Sequence, residues 1–334
     1  MTSDECLLPF EREKRETITV RTAKTSDKFG KYPSERTVEE LMKNGIVNID
    51  KPKGPTSHQV SAYVQKILEI NKSGHSGTLD PGVTGMLPTA LSKGTKIVEV
   101  LLKAGKEYVC LMHIHKDVEE ENLRKTLKEY IGSIKQLPPK KSAVKRKWRS
   151  RSIYYIKILE IDGKDILFRV GCEAGTYIRK LCHDIGKKLG CGAHMSELRR
   201  TKAGPFNEST SVTLHDLSDA YSFWKEEKNE ANIRKCILPL ESGAEHLPKI
   251  WVLDSAVNTL CHGADLNVPG ISRLESGISA DKMVAVFSLK DELVAIGNSK
   301  MTSQEMVEMN KGLVVKTDKV FMDPGIYPKI QKFE

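Results

Sequence analysis

Two apolar runs, SIYYIKILEI and KDILFRVGC, meet at Asp162-Gly163 and leave the backbone few choices. Strand-like segments joined at Asp-Gly form an antiparallel hairpin, because the turn that matches strand twist needs residues that accept positive φ. The second run passes Gly175 into TYIRKLCHDIGKKLG. There Ile178, Leu181, Ile185 and Leu189 fall on one helical face, and Lys187, Lys188 and Gly190 close the end. Upstream, EYVCLMHIH (107–115) is a further strand, and EENLRKTLKEYIG (120–132) is an amphipathic helix ended by glycine. A helix capped by Ser57 gathers Val60, Tyr63, Val64, Ile67 and Leu68 on one face. Strands and helices mix without regular alternation, so the expected class is α+β with a mixed sheet, not a doubly wound one.

The texture changes after HLPKIW (246–251). SAVNTLCHGADLNVPGI leads into two short strand runs, MVAVFSLKDELVAIG and GLVVKTDKVF, with tight turns between them. That makes a small β-rich unit of about 80 residues. A pseudo-barrel fits it, with an oligonucleotide-binding barrel as the rival. The expected division is an N-terminal extension over 1–44 that needs another surface to order it, a main domain over 45–248 and a second over 249–334.

No apolar run approaches the roughly 18 residues of a membrane helix, and MTSDECLLPFEREKRE is too charged for a signal peptide. A cytoplasmic protein without membrane contact is the expectation. Seven cysteines form no C-x-x-C pair, which argues against a disulfide framework and a zinc ribbon. His113 and His115, like the Cys-His pairs at 182–183 and 261–262, lack a partner pair at ligand spacing. Buried thiols and strand histidines are expected, and no metal.

The net charge is +9, and KQLPPKKSAVKRKWRSR (135–151) alone carries +8 of it with no acid. Most such runs are solvated surface loops. This one encloses Trp148, and LRRTK (198–202) follows further on. Cations interleaved with an aromatic suit a phosphate backbone, so RNA or DNA contact is expected through Lys145, Arg146, Lys147 and Arg149.

A different chemistry is suggested by GHSGTLDPGVTG (74–85), four glycines around the single carboxylate of Asp80. No Lys-Ser/Thr follows the glycines and the spacing is not that of a dinucleotide fingerprint. Pro81 pushes Asp80 away from helical geometry. Taken alone, Asp80 is a turn-stabilising residue. Yet His75 lies in the same loop, and Arg179 on the later helix could pair with the acid and hold it ionised, as a nucleophile or base requires. If that pair is buried, loss of Arg179 costs stability as well as activity.

GHSGTLDPGVTGMLP resembles the signature of the TruB family of pseudouridine synthases, and three further blocks match in order. NIDKPKGPTSH is similar to the family's first motif, GKEYV to its base-stacking tyrosine segment and GTYIRKL to its arginine motif. SGTLDPGVTG, AGKEYV, SAVKRKWRSRSIY and HMSELRR resemble the dyskerin branch, the catalytic subunits of H/ACA ribonucleoproteins. DSAVNTLCHGADLNVPGI is similar to the opening of a PUA domain, and the absence of long lysine-rich tails makes an archaeal member the expectation. The resemblance covers roughly residues 40 to 330, with Trp148 departing from it where an aliphatic residue is expected.

The resemblance implies a mixed-sheet catalytic domain followed by a PUA pseudo-barrel, working without cofactor or metal. It makes Asp80 the group that acts on the target nucleotide, by attack on the sugar or by taking a ribose proton. Tyr108 becomes the aromatic face for the flipped base, Arg179 the residue that orients Asp80, and Tyr177 a contact to the nucleotide or a base for the detached uracil. Leu198 would line the pocket and His75 fill the space left by the flipped base, while Lys51 and Pro52 of the first motif would meet the RNA. For Tyr177 and Leu198, plain core packing stands beside these roles. The implied partners are an H/ACA guide RNA and target rRNA or tRNA, with three proteins: a small zinc-ribbon protein, a β-barrel glycine–arginine-type protein and a kink-turn-binding ribosomal protein. Guide-free modification of tRNA, and an RNA-binding scaffold without activity, are the alternatives.

Overall fold

Alternation along residues 106–114 sets the middle of the molecule. Cys110, Met112 and Ile114 enter a core with Phe168, Val170, Ile178, Leu181 and Ile185, while Val109, Leu111 and His113 stay half-buried. The computed structural model describes residues 6–138 and 145–329.

In chain order the strands are β1 (Thr17–Thr19), β2 (Gly45–Lys51), β3 (Ser73–His75), β4 (Thr84–Leu91), β5 (Lys106–Ile114) and β6 (Gly132–Gln136). There follow β7 (Arg149–Asp162), β8 (Asp165–Cys172), β9 (Ala193–Ala203), β10 (Phe206–Asn207) and β11 (Leu238–Pro239). The second unit adds β12 (Lys249–Val252), β13 (Leu266–Asn267), β14 (Ile271–Glu275), β15 (Met283–Phe287), β16 (Leu293–Ser299) and β17 (Leu313–Val320). The helices used below are α1 (Pro9–Arg12), α2 (Val38–Asn44), α3 (Ser57–Leu68), α4 (Val98–Lys103), α5 (Glu120–Glu129) and α6 (Ile178–Lys188).

A ten-stranded sheet runs β11-β2-β4-β9-β5-β8-β7-β6, with β3 on β4 and β10 on β9. The β4/β9 contact is parallel and its other pairs are antiparallel, so the sheet is mixed and the class is α+β. The second sheet runs β1-β14-β12-β15-β16-β17-β13. The expected hairpin is β7–β8, turning at Gly163 with φ +54°. On α6, Ile178, Leu181 and Ile185 are buried as expected, and Leu189 is half-buried just beyond it.

Two local expectations shift. Helix α3 is capped by Thr56, whose hydroxyl accepts from the Gln59 N–H in a capping box, and Tyr63 faces solvent. Ser57 is released for another partner, described below. Helix α5 ends at Glu129, and Gly132 opens β6 at φ +106°, because strand pairing with β7 takes over there.

The expected break at 44/45 runs through packed side chains. Val38 and Leu41 of α2 lie in one core with Val47 and Ile49 of β2. Further upstream the extension reaches the second unit: β1 pairs antiparallel with β14, Thr17 opposite Glu275 and Thr19 opposite Arg273. The Arg21 guanidinium donates to the carbonyls of Val268 (2.8 Å) and Ile271 (3.1 Å).

The two units share a core as well. Ile46, Ile97, Val100 and Leu101 pack with Trp251, Phe287, Leu293 and Phe321. Arg36 forks onto Glu241 at 2.7 and 2.8 Å, and Glu241 also accepts the Leu293 N–H at 2.9 Å. Deleting residues 249–334 therefore uncovers Ile97, Val100 and Leu101, at about 1.5–3 kcal/mol each. The truncated chain is expected to melt well below the full chain in calorimetry. An unchanged melting temperature would show that the main unit stands alone.

Candidate active site

The loop carrying Asp80 is held by its own backbone. Between β3 and β4 the Ser76 N–H donates to Pro88 O (2.9 Å) and the Val83 N–H to Asp80 O (2.9 Å). Ser57 Oγ donates to Leu79 O (3.1 Å) and accepts from the Leu79 N–H (2.8 Å), fixing the residue next to the acid. Gly54 N–H donates to Pro81 O (2.8 Å).

Two buried cations hold further carbonyls in and around the loop. Lys51 Nζ donates to Pro52 O and Val83 O (both 2.8 Å) and more weakly to Pro81 O (3.4 Å). Arg200 donates through Nε to Met86 O (2.7 Å) and through Nη2 to Gly77 O (3.1 Å). Lys51 is 0% exposed and Arg200 1%. Burial pushes both pKa values down; repulsion from Arg200 adds to the fall at Lys51, and Tyr108 opposes it at Arg200. Lys51, expected to meet RNA, is thus a loop anchor, because its strand turns it inward beneath Val83. Pro52, beside it, is exposed. Gly85 is required by the same packing: it has φ +105°, and a Cβ there would lie 2.1 Å from the Arg200 carbonyl.

Against this fixed backbone the Asp80 side chain points outward, 56% exposed, with Arg179 Nη2 at 2.5 Å from Oδ2. Arg179 is itself 59% exposed, so the expected cost of breaking a buried pair does not apply. Arg179 stands on the first turn of α6, and Tyr177 just before it is the N-cap. The Tyr177 backbone is gripped from both sides by the Gln136 amide: its N–H donates to Oε1 (3.0 Å) and its carbonyl accepts from Nε2 (3.2 Å). Gln136 ends β6 opposite Arg149, so the root of the basic loop is tied to the active-site helix.

Tyr108 lies half-buried on β5, directly opposite Arg200. Burial raises its phenol pKa and Arg200 opposes the rise. The neighbouring Glu107 is buried and accepts from Tyr155 OH (2.5 Å), Thr201 Oγ1 (2.7 Å) and Arg169 (2.9 Å), which locks the strands around Tyr108. Leu198 sits half-buried opposite Cys110. His75 is half-buried against His58, with burial first, then the charges of His58 and Arg200, bringing its pKa to about 4.

The cations divide sharply. Lys145, Arg146 and Lys147 are exposed, Trp148 is 65% exposed and Arg149 is half-buried at the start of β7. Lys140 and Lys141 lie outside the described residues. LRRTK, expected to meet phosphate, is engaged within the protein. Arg199 forks onto Asp50 (2.9 and 2.8 Å) and reaches Glu208 (2.8 Å), Arg200 is buried, and Lys202 pairs with Glu11 (2.9 Å). Ser57, Gln136 and Arg200 are site residues that sequence reasoning misses. Strand alternation, which turns Arg200 to the face opposite Arg199, is the available signal for the last.

Family models match along most of the chain: a DKCLD (NUC011) domain over residues 5–61, a TruB family pseudouridylate synthase N-terminal domain over 65–178, a tRNA pseudouridylate synthase B C-terminal domain over 179–245 and a PUA domain over 248–321. The probable tRNA pseudouridine synthase B of Methanopyrus kandleri is 56% identical over 96% of this chain and 95% of its own. That of Pyrococcus furiosus is 54% identical over 97% and 96%. Among solved structures, a chain of a Cbf5–Nop10–Gar1 complex superposes with TM-score 0.93 at 55% identity, covering 97% of this chain and 99% of its own. A chain of an H/ACA ribonucleoprotein bound to a substrate RNA containing 2′-deoxyuridine gives 0.91 at 52%, covering 98% and 100%.

The geometry separates two arginines. Arg200→Ala orphans two buried carbonyls and opens a cavity, at about 3–5 kcal/mol, whereas Arg179→Ala stays within about 1 kcal/mol of the parent in urea titrations. Between pH 6.5 and about 4 the unfolded chain takes a proton that folded His75 refuses, so stability falls as pH drops through that window. His75→Asn is expected to flatten that slope, read from melting temperatures across the same range.

Proposed function

The chain belongs to the TruB family of pseudouridylate synthases, and on that premise we propose that it converts uridine to pseudouridine with Asp80 as the attacking carboxylate. The observation that supports this is the exposed Asp80–Arg179 pair on a loop whose Gly77, Pro81 and Val83 carbonyls are held by buried cations. Asp80 Oδ bonds to C1′ as the C1′–N1 bond breaks and its electrons leave with the uracil. The ring turns, C5 bonds to C1′ and expels the carboxylate, and the C5 proton is lost while N1 gains one. Nothing is oxidised and no group leaves. Arg179 orients the carboxylate. Tyr108 offers the flipped uracil an aromatic face, offsetting part of the few kcal/mol of unstacking. Tyr177, whose backbone Gln136 holds, takes the C5 proton, Leu198 lines the pocket, and His75, neutral near pH 7, fills the gap in the duplex.

The preferred RNA is one presented by a guide, and similarity to chains of a Cbf5–Nop10–Gar1 complex and of a substrate-bound H/ACA ribonucleoprotein supports Nop10- and Gar1-like partners; a kink-turn-binding protein completes the proposed set. The names of similar proteins favour tRNA as a second substrate, which in this reading is modified without a guide. In this reading residues 45–248 are the catalytic domain and 249–334 a PUA domain that holds the guide's ACA end. Among the described residues, no helix is long and apolar enough to cross a membrane. The exposed Lys145, Arg146 and Lys147, with Arg149, track phosphates.

Tritium release from RNA labelled at uridine C5, with and without guide and partner proteins, separates guided enzyme, guide-free enzyme and inactive scaffold. Asp80→Asn is expected to abolish release while RNA affinity stays within a few-fold; appreciable turnover would remove Asp80 from the reaction. Neutralising Lys145, Arg146, Lys147 and Arg149 together is expected to flatten the log–log salt dependence of RNA binding by roughly 0.7–0.9 for each phosphate that is no longer neutralised. An unchanged slope would show that the loop does not touch phosphate.

A further inference from the structure

We propose that His113, His115 and His194 form a binding site for a divalent transition-metal ion of the zinc, nickel or cobalt class, at the end of β5 remote from Asp80. Sequence spacing hides it, because the partners come from three strands. His113 stands directly opposite His194 on β9 and Asp165 on β8, and His115 follows two residues on. Paired strand positions share a sheet face, and so do residues two apart, so the register gathers all four side chains on one face.

Two of the three ring separations suit coordination as they stand. His115 Nε2 and His194 Nδ1 are 3.0 Å apart. Two imidazole nitrogens on a tetrahedral zinc, each at about 2.0–2.1 Å, lie about 3.3 Å apart. The ring centroids of His115 and His194 are separated by 5.2 Å, those of His113 and His194 by 5.4 Å, and those of His113 and His115 by 6.3 Å. Rings sharing such an ion have centroids about 5 Å apart. Asp165 Oδ1 lies 2.8 Å from His113 Nδ1, the contact by which a carboxylate fixes a histidine tautomer and leaves Nε2 for a metal.

The backbone positions the third ring. The His115 N–H donates to Gly192 O (3.0 Å), and a Cβ on Gly192, at φ +70°, would lie 2.9 Å from His115 Nδ1. Glycine therefore leaves the space that the imidazole occupies. Among the described residues no group of three ligand side chains is already arranged to hold an ion, so binding requires the rings to turn. His115 and His194 are exposed, which lets an ion enter from solvent and keep water at its open positions. Imidazole ligands must be neutral, so binding weakens in acid. The ion would staple β5 to β9 roughly 17 Å from Tyr108, five residues along the strand.

The test uses the full-length chain without an affinity tag, stripped of metal and titrated with Co²⁺ followed by visible absorption, then with Zn²⁺ in competition. One equivalent of Co²⁺ with imidazole-type bands is expected. His115→Ala and His194→Ala are each expected to weaken Zn²⁺ binding at least tenfold, and Asp165→Asn by 10- to 100-fold, the range for a carboxylate behind a ligand. His183→Ala, exposed on α6, leaves binding unchanged. Melting in chelator, equal to the parent for each variant, separates loss of a ligand from loss of the fold. Zn²⁺ is also expected to raise the parent's melting temperature and not that of the His115→Ala/His194→Ala double variant. Absence of Co²⁺ bands at stoichiometric metal, or equal Zn²⁺ affinity in the double variant, overturns the site. Neither result bears on pseudouridine formation.

Discussion

Two buried cations hold this molecule's working loop. Moving an ammonium or guanidinium out of water costs several kcal/mol, and neither Lys51 nor Arg200 makes an ion pair among the described residues. What offsets the cost is peptide carbonyls: three on Lys51 and two on Arg200, at about 1.5–3 kcal/mol each for bonds to a charged donor. Those carbonyls belong mostly to the loop on either side of Asp80. The same contacts that make the buried charges tolerable therefore remove the loop's freedom, and leave the Asp80 side chain facing solvent. A carboxylate in place of the carbonyls would satisfy the cations equally well and leave the loop slack.

Much of this is legible from residues alone. The β7–β8 hairpin follows from Asp162-Gly163, α6 from its apolar spacing, and the Asp80–Arg179 pair from the lone acid and a family motif. The misreadings share a cause. Lys51, Arg199, Arg200 and Lys202 look RNA-facing in sequence because cations are usually solvated. Their true partners are peptide carbonyls, which have no sequence signature, or acids such as Asp50 and Glu11 that lie 149 and 191 residues away. Ser57 shows the finer grain of the problem. One position separates a helix cap from a residue inside the helix, and that position decides whether the hydroxyl serves α3 or the backbone of Leu79.

The basic loop and the acid are also joined, through Gln136. Its amide behaves like one more strand residue, exchanging two hydrogen bonds with the Tyr177 backbone. A displacement at the root of β6 is thus transmitted to the cap of α6, whose first turn carries Arg179. Polar contacts of this kind are directional and short-ranged, so Gln136 adds a specific link to the apolar packing of Ile134 against the core that holds Ile178.

The strand β1 has a consequence in time. Residues 17–19 pair with residues 273–275, which leave a ribosome roughly 250 residues later. At about 5–20 residues per second, that is a wait of some 10–50 s. Through that interval the early segment has no edge to join, while β2, α3 and the loop of Asp80 already have partners nearby in the chain. A strand made early is received by β14, made much later. The second sheet therefore gains its β1 edge only after residues 271–275 are made, and a segment from the start of the chain closes a unit built from residues far downstream.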